Sequence, residues 1–303
     1  MIVKQVCLPT DPQELAAYVA ACDADLEARM DTVAERTALV DGLKLLGLTG
    51  PSCAGKTTAA KKLTACLEAH GHRVHVISID DFYYDKDYLH SRADADPDIE
   101  IDYDSEDTID VALLREKTAS LLAERPTQMP KFDFPTGMRV EGETVIPKKD
   151  DVFLFEGIQI LYPKVRAILG AAPYRGIYIS PATALQVGEH LFEPNEIRLL
   201  RRLVRDYRYR ASNPSFTFYL WQSVRKNEES NIFPNAHTCH ECIDSTMPYE
   251  IGMLKPYLEN ILPLVTPSDP FYQKAQEILA QLSNIPAVPS DLMTPNSLYK
   301  EFI

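Results

Sequence analysis

The sequence lacks several features that would define other classes of protein. No apolar stretch approaches the roughly 20 residues that a membrane-spanning helix needs. The opening residues, MIVKQVC, contain no apolar core of the kind found in a signal peptide. We therefore expect a cytoplasmic protein that neither crosses nor enters a membrane.

Basic residues are in deficit, with 31 Lys and Arg against 44 Asp and Glu and a net charge of −13. Proteins that bind nucleic acids or anionic membranes need a basic face, so this balance argues against both partners. The six cysteines lie mostly far apart in a chain of 303 residues, which is long enough to fold without disulfides. Reduced thiols in the cytosol are the simplest interpretation.

What the sequence does contain is a phosphate-loop pattern at residues 50–57: Gly, four residues, then Gly-Lys-Thr. Residues 43–48 before it form an apolar run of buried-strand length. Residues 58–69 after it carry apolar side chains at helical spacing, and Gly71 ends that helix. Strand, glycine loop and helix are the context that this motif requires. A mere glycine turn before an amphipathic helix is the weaker alternative.

The chemistry of such a loop comes from its backbone. Gly50 and Gly55 let successive N–H groups point inward, and the dipole of the following helix favours an anion. Lys56 would reach the terminal phosphates, and the Thr57 hydroxyl would bind Mg²⁺. We therefore predict ATP as co-substrate and Mg²⁺ as cofactor. The predicted ATP-binding residues are Gly50, Pro51, Ser52, Cys53, Ala54, Gly55, Lys56, Thr57 and Thr58.

Two more predicted strands deliver carboxylates to the carboxyl edge of the sheet, where ligands bind in open α/β sheets. Residues 73–78 lead to Asp80 and three aromatic side chains. Residues 151–155 lead to Glu156, as a Walker B-like strand leads to a carboxylate that holds Mg²⁺. The plainer alternatives are a surface acidic turn and a strand-terminal glutamate without a role.

Residues 196–210 form the one basic segment. Arg198, Arg201, Arg202 and Arg205 fall at positions i, i+3, i+4 and i+7, so they should share one face of a helix. In an acidic protein with a phosphate loop, this face predicts a clamp for phosphate charge. A salt-bridged or solvated helix face is the alternative.

The remaining pattern predicts an α/β core with additions at both ends. We place a helical N-terminal extension at 1–42, a phosphate-loop core at 43–265 and a C-terminal extension at 266–303. Residues 11–40 indicate one long or two shorter helices, which would pack on the core or on a partner subunit, and a homo-oligomer is compatible with this. The acidic stretch 85–110 is predicted mostly as loop up to a helix at 108–122. Residues 285–303 are predicted to pack on the surface.

A single Cys-x-x-Cys at residues 239–242, with flanking histidines, is a weak metal signal because zinc sites usually need a second pair. No other cysteines supply one at a suitable spacing, so we predict a buried strand over residues 239–244 instead.

Taken together, the ordered motifs resemble the uridine kinase/phosphoribulokinase family of P-loop small-molecule kinases over about residues 43–260. The last part, from Met247 to Tyr257, is similar to a longer bacterial branch of nucleoside or uridine kinases. The other segments that carry the resemblance are Ser78–Tyr83, Tyr103–Asp104 with Asp107 and Asp110, Pro130–Phe134, Phe155–Ile158, and Arg198–Asp206 with Arg210.

The resemblance implies a parallel P-loop sheet with helices on both faces, an Arg-rich lid and transfer of the ATP γ-phosphate to a primary hydroxyl. It also implies roles for individual residues. Lys56 would act in catalysis at the donor phosphates, and Asp80 would be the general base. Asp80, Tyr83, Asp104, Phe132 and Arg202 would bind the acceptor. Thr57, Asp80 and Glu156 would hold Mg²⁺. Arg205 and Arg210 would neutralise charge during transfer.

Two departures bear on the acceptor. Where the family has a tyrosine and a histidine that contact the base, this chain has Phe132 and Gly137. Sites built on such polar contacts discriminate strongly, so their loss weakens the prediction of uridine. A nucleoside 5′-hydroxyl stays the first expectation. The alternatives are another small alcohol, as in phosphoribulokinase, pantothenate or glycerate kinases, and a nucleotide-dependent switch without turnover.

Overall fold

A computed structural model describes residues 2–95 and 105–303. The strands are β1 (Ile2–Val6), β2 (Leu45–Thr49), β3 (Arg73–Ser78), β4 (Thr127–Asp133), β5 (Met138–Val145), β6 (Asp151–Glu156), β7 (Tyr174–Ser180), β8 (Thr183–Val187), β9 (His190–Phe192) and β10 (Glu241–Asp244). The helices are α1 (Pro12–Ala38), α2 (Lys56–Ala69), α3 (Lys86–Ala95), α4 (Val111–Leu122), α5 (Pro163–Leu169), α6 (Pro194–Tyr209), α7 (Pro214–Asn227), α8 (Glu250–Ile261) and α9 (Tyr272–Leu282). Strands and helices alternate through the core, as in the α/β class.

The main sheet has five strands in the order β10-β7-β2-β6-β3, and every pairing in it is parallel. The strand before the phosphate loop, β2, is central, and all five of its residues are buried. Ser78, the last residue of β3, lies opposite Glu156, the last residue of β6. This register brings the ends of β2, β3 and β6 to one edge, so the predicted α/β fold class is confirmed.

Side chains on the two faces of the sheet enter two separate apolar clusters. Leu46 and Leu48 of β2 pack with α1, α2, α6 and α8 on one face. Leu45 of β2 and Phe153 of β6 pack with α4 and α5 on the other. Strands covered on both faces are expected to be apolar throughout, which is why β2 and β6 read as continuous apolar runs.

The N-terminal segment forms one helix rather than two. Asp11 caps α1, since its carboxylate accepts hydrogen bonds from the backbone N–H groups of Gln13 (2.9 Å) and Glu14 (3.0 Å). The helix packs against α2 and β10. None of the helices in the described part of the chain has the length and apolar composition needed to cross a bilayer.

Several elements differ from the sequence prediction. The N-terminal β1 was not predicted, and it joins β8 and β9 in a separate three-stranded sheet. The prediction of a loop from residue 85 onward is wrong for α3, which begins at Lys86. The antiparallel hairpin of β4 and β5 has Pro130 inside its first strand, and the pairing register shifts between Gln128 and Pro130.

Candidate active site

A cavity of about 1340 Å³ opens along the carboxyl edge of the sheet. The phosphate loop and the start of α2 form its floor. The turns after β3 and β6 form one side, and α6, α7 and the π-helical turn Glu228–Ile232 close the other. The cavity therefore joins three of the regions that the sequence motifs single out.

Glycine is required at both ends of the phosphate loop. A Cβ atom on Gly50 would lie 1.9 Å from the carbonyl oxygen of Ile179, in the neighbouring strand β7. Gly55 has φ +98°, and a Cβ atom there would lie 2.4 Å from the Leu298 side chain. A side chain at either position would displace the loop backbone, so both glycines serve close packing as well as conformation.

Lys56 is folded back onto this loop. Its Nζ donates to the carbonyl oxygens of Gly50 (3.0 Å) and Pro51 (3.1 Å). Burial lowers the pKa of Lys56, while the negative charges of Glu156, Glu301 and Asp80 act in the opposite direction. The ammonium group therefore lies among carboxylates at the floor of the cavity.

Asp80 lies in the turn after β3. Its carboxylate is held by Gln159, a residue that the sequence motifs did not single out. The side-chain amide of Gln159, which is 1% exposed, donates to Asp80 Oδ1 (3.0 Å) and to the Tyr83 hydroxyl (2.6 Å). Gln159 lies three residues after Glu156, so one strand end supplies both side chains. The position of Gln159 just beyond the predicted strand β6 is the feature of the sequence that could have identified it as a site residue.

Glu156 ends β6 and accepts a hydrogen bond from the Ser78 hydroxyl (3.1 Å). Burial raises the pKa of Glu156; Lys56 acts against this shift, and the charge of Asp80 adds to it. These two mutually repelling carboxylates line the cavity together with Thr57, and they provide the oxygen ligands that Mg²⁺ prefers. Within residues 2–95 and 105–303 no cluster of three His, Cys, Asp or Glu side chains is arranged to hold a metal. The donor set fits Mg²⁺ that completes its shell with phosphate oxygens and water.

The arginines of α6 divide into two groups. Arg198 is fully buried, donates to both carboxylate oxygens of Glu228 (2.6 and 2.7 Å) and also donates to the Ser52 carbonyl oxygen (3.1 Å). Arg201 is equally buried, donates to Glu250 (2.8 and 3.1 Å) and reaches the carbonyl oxygen of Cys53 (3.2 Å). The prediction of a four-arginine phosphate clamp is therefore wrong for these two, which hold the loop from behind. Their partner carboxylates come from distant segments that helix spacing does not reveal.

Three other arginines line the cavity and share one carboxylate. Asp206 accepts from Arg202 Nε (3.1 Å) and from Arg205 Nη2 (2.6 Å), and it lies 3.7 Å from Arg210 Nε. Asp206 is 2% exposed and lies beneath the three arginines, which themselves line the cavity. The buried carboxylate therefore holds their guanidinium groups in position. These are the three arginines to which the family resemblance assigns roles.

The aromatic wall consists of Tyr83, Phe132 and Phe134. Phe132 packs edge-on against both neighbours, with ring centroids 5.5 Å from Tyr83 and 5.2 Å from Phe134. Tyr83 and Phe134 line the cavity, whereas Phe132 supports them from behind. Asp81 Oδ1 accepts from the Phe132 backbone N–H (3.1 Å), which ties hairpin β4-β5 to the turn after β3.

Gly137 lies at the end of the turn between these hairpin strands. Its φ is +70°, and a Cβ atom there would lie 2.6 Å from Lys86 Cδ. A histidine at this position would need both a strained backbone and movement of Lys86. The predicted acceptor residue Asp104 lies outside the described residues.

Residues 239–242, which carry the weak metal signal, lie where β10 pairs with β7. The His240 ring nitrogen Nδ1 accepts the backbone N–H of Gly176 (3.0 Å), and burial raises the pKa of the Cys239 thiol to about 12. A neutral thiol is a poor metal ligand. The strand predicted over residues 239–244 is confirmed as β10 at Glu241–Asp244, but only Ile243 in it is buried, so the prediction that the whole strand is buried is wrong.

The chain matches the Phosphoribulokinase / Uridine kinase family over residues 45–246, about two thirds of its length. It therefore belongs to that family. It is an ATP-dependent kinase, the class that the phosphate loop and its neighbouring carboxylates indicate.

Particular relatives match over parts of their length. Uridine-cytidine kinase C of Dictyostelium discoideum is 33% identical over 125 residues, which are 41% of this chain and 25% of that protein. Uridine kinase of Lactobacillus helveticus is 27% identical over 168 residues, which are 55% of this chain and 69% of that protein. The solved structure of the YGR205w protein has a TM-score of 0.50 at 14% identity, covers 72% of this chain and 89% of its own, and shows the fold alone.

Proposed function

We propose that this kinase transfers the γ-phosphate of ATP to a primary hydroxyl of a nucleoside-type acceptor, with Asp80 as general base. One observation carries the proposal. Asp80 lines the same cavity as Lys56 and the phosphate loop, and a buried amide holds its carboxylate. A base opposite a phosphate-binding loop is the arrangement that phosphoryl transfer to an alcohol needs.

In the proposed reaction the acceptor oxygen attacks the γ-phosphorus and its proton passes to Asp80. The bond between the γ-phosphorus and the β,γ-bridging oxygen breaks, so ADP leaves. The backbone N–H groups of the loop and Lys56 would bind the donor phosphates. Thr57, Glu156 and Asp80 would hold Mg²⁺, which neutralises charge on the phosphates when bound.

Arg202, Arg205 and Arg210 would stabilise the negative charge on the transferring group. Their support comes from Asp206, which accepts from Arg202 and Arg205 and is buried beneath them. Preorganised donors of this kind stabilise a transition state without reorganising during the reaction. Arg202 also donates to the Ser52 hydroxyl (3.3 Å), so the group is joined to the phosphate loop.

For the acceptor we propose a nucleoside, bound against Tyr83 and Phe134 with support from Phe132. The named relatives are uridine or uridine-cytidine kinases, which favours this class. A second candidate is another small alcohol, because Phe132 and Gly137 offer no side-chain hydrogen bond to a base edge.

The two candidate functions differ in the acceptor that supports ADP formation by the enzyme. We expect at least one nucleoside to give ADP in an acceptor screen with ATP and Mg²⁺, and we expect no comparable rate with sugar phosphates, pantothenate or glycerate. Turnover with a non-nucleoside alcohol alone would contradict the proposal of a nucleoside acceptor, but it would agree with kinase activity.

The role of Asp80 is tested separately with Asp80→Asn. Loss of a general base lowers the rate by roughly 10²–10⁴-fold, while ATP binding should persist. Acceptor-dependent ADP formation at the wild-type rate would show that another group takes the proton.

A further inference from the structure

The last residues of the chain pack directly behind the phosphate loop. We call Ser297–Ile303 the C-terminal turn. Leu298, Tyr299 and Phe302 are each at most 1% exposed. Leu298 fills the space that a side chain on Gly55 would need. This turn lies outside the family match at residues 45–246, yet it forms part of the cavity through Glu301.

Glu301 makes a specific contact with the first turn of α2. Its Oε2 accepts from the backbone N–H of Thr58 (3.3 Å) and from the Thr58 hydroxyl (3.2 Å). The Glu301 charge also acts on Lys56 and Arg205, two cations of the cavity.

The Thr58 N–H is one of the four at the start of a helix that have no partner within the helix. In a phosphate loop followed by a helix, such N–H groups bind phosphate oxygens. A carboxylate and a phosphate cannot both accept this hydrogen bond, and their negative charges repel. We propose that Glu301 occupies part of the donor-phosphate site and that the incoming nucleoside triphosphate must displace it, so this residue sets the donor affinity. The inference rests on the proposed function in assigning a nucleoside triphosphate to the loop.

The C-terminal turn is anchored by side-chain contacts that do not involve Glu301. Asp23 of α1 is 2% exposed and accepts from the hydroxyls of Ser297 (3.0 Å), Thr294 (2.8 Å) and Tyr249 (2.5 Å). Tyr299 is held by a hydrogen bond from its hydroxyl to Glu250. Displacement therefore needs only rotation of the Glu301 side chain, while the turn stays in place. Through Asp23, helix α1 therefore helps to hold the turn that carries Glu301.

Glu301→Gln tests the inference, because it keeps the shape of the side chain and removes its charge. Glu277→Gln is the matched control, since it removes one charge from an exposed site on α9. Binding of ADP and of inorganic tripolyphosphate would be titrated by calorimetry with Mg²⁺ and without acceptor. Thermal unfolding of each variant would establish that it is folded.

Loss of one competing charge-assisted hydrogen bond should lower the Kd of Glu301→Gln for both ligands by about tenfold. Glu277→Gln should bind both as the wild type does. Unchanged or weaker binding by Glu301→Gln, with the wild type still binding ADP, overturns this inference and leaves the kinase proposal intact. Absence of ADP and tripolyphosphate binding in the wild type overturns both.

Discussion

Replacing Gln159 by leucine would separate the positioning of the base from the stability of the fold. The glutamine is buried, and its amide donates to Asp80 and to the Tyr83 hydroxyl. Its side-chain oxygen is buried and has no hydrogen-bond partner within the described residues. The wild-type side chain thus combines two hydrogen bonds with one unsatisfied acceptor.

The stability effects of Gln159→Leu should largely cancel. Losing two hydrogen bonds, one of them to a carboxylate, costs about 2–4 kcal/mol. Removing a buried acceptor without a partner returns about 1–3 kcal/mol, and leucine fills a similar volume. The free energy of unfolding should therefore fall by about 1 kcal/mol, and by no more than about 3 kcal/mol. Urea unfolding of the two proteins measures this difference.

Activity should fall much more than stability. Without its donor the Asp80 carboxylate can rotate, and a misplacement of about 1 Å can lower a rate by about a hundredfold. We expect kcat to fall by about ten- to a hundredfold while the KM for ATP is nearly unchanged. Gln186→Leu is the control, because its amide donates to the Gly188 carbonyl oxygen (2.8 Å) away from the cavity. A wild-type kcat, or a rate loss matched by an equal loss of stability, would refute the positioning role.

Two further predictions concern buried charges. Arg201→Met leaves the buried Glu250 without its main partner, so it should destabilise the protein by about 3–5 kcal/mol in urea unfolding. Adding Glu250→Gln should recover part of this loss, and no recovery would contradict the pairing. For Asp151, burial alone would raise the pKa, but hydrogen bonds from the Lys148 N–H and from His75 hold it below the ordinary value. Its contribution is therefore present above about pH 4 and is lost as pH falls through the folded-state pKa. Asp151→Asn should flatten the acid limb of the stability–pH curve, and an unchanged acid limb would contradict this.

The phosphate-loop unit was predictable because its signals are local. A buried strand, two glycines at fixed spacing and a helical apolar period occur within residues 43–71 and depend on nothing distant. The carboxylates were predictable for a related reason, since parallel strands bring their carboxyl ends to one edge.

Contacts between distant segments were not predictable from patterns. Arg198 and Arg202 look equivalent on a helical wheel. Arg198, however, is buried in an ion pair with Glu228, which lies 30 residues further along the chain, whereas Arg202 lines the cavity. Glu301 is separated from Thr58 by 243 positions, and no spacing rule connects them. The prolines near the end of the chain indicated a surface segment, although the fold buries Leu298, Tyr299 and Phe302, and Leu298 packs against Gly55 of the loop.

The central claim is that the phosphate loop and Asp80 together move a phosphoryl group onto an alcohol. Its most direct test uses ATP radiolabelled at the γ-phosphate, an active nucleoside acceptor, and the wild-type and Asp80→Asn proteins. We expect labelled acceptor in amounts equal to the ADP formed by the wild type, and almost none with Asp80→Asn. Equal labelling by both proteins, or ADP formed with all the label in inorganic phosphate, would contradict it.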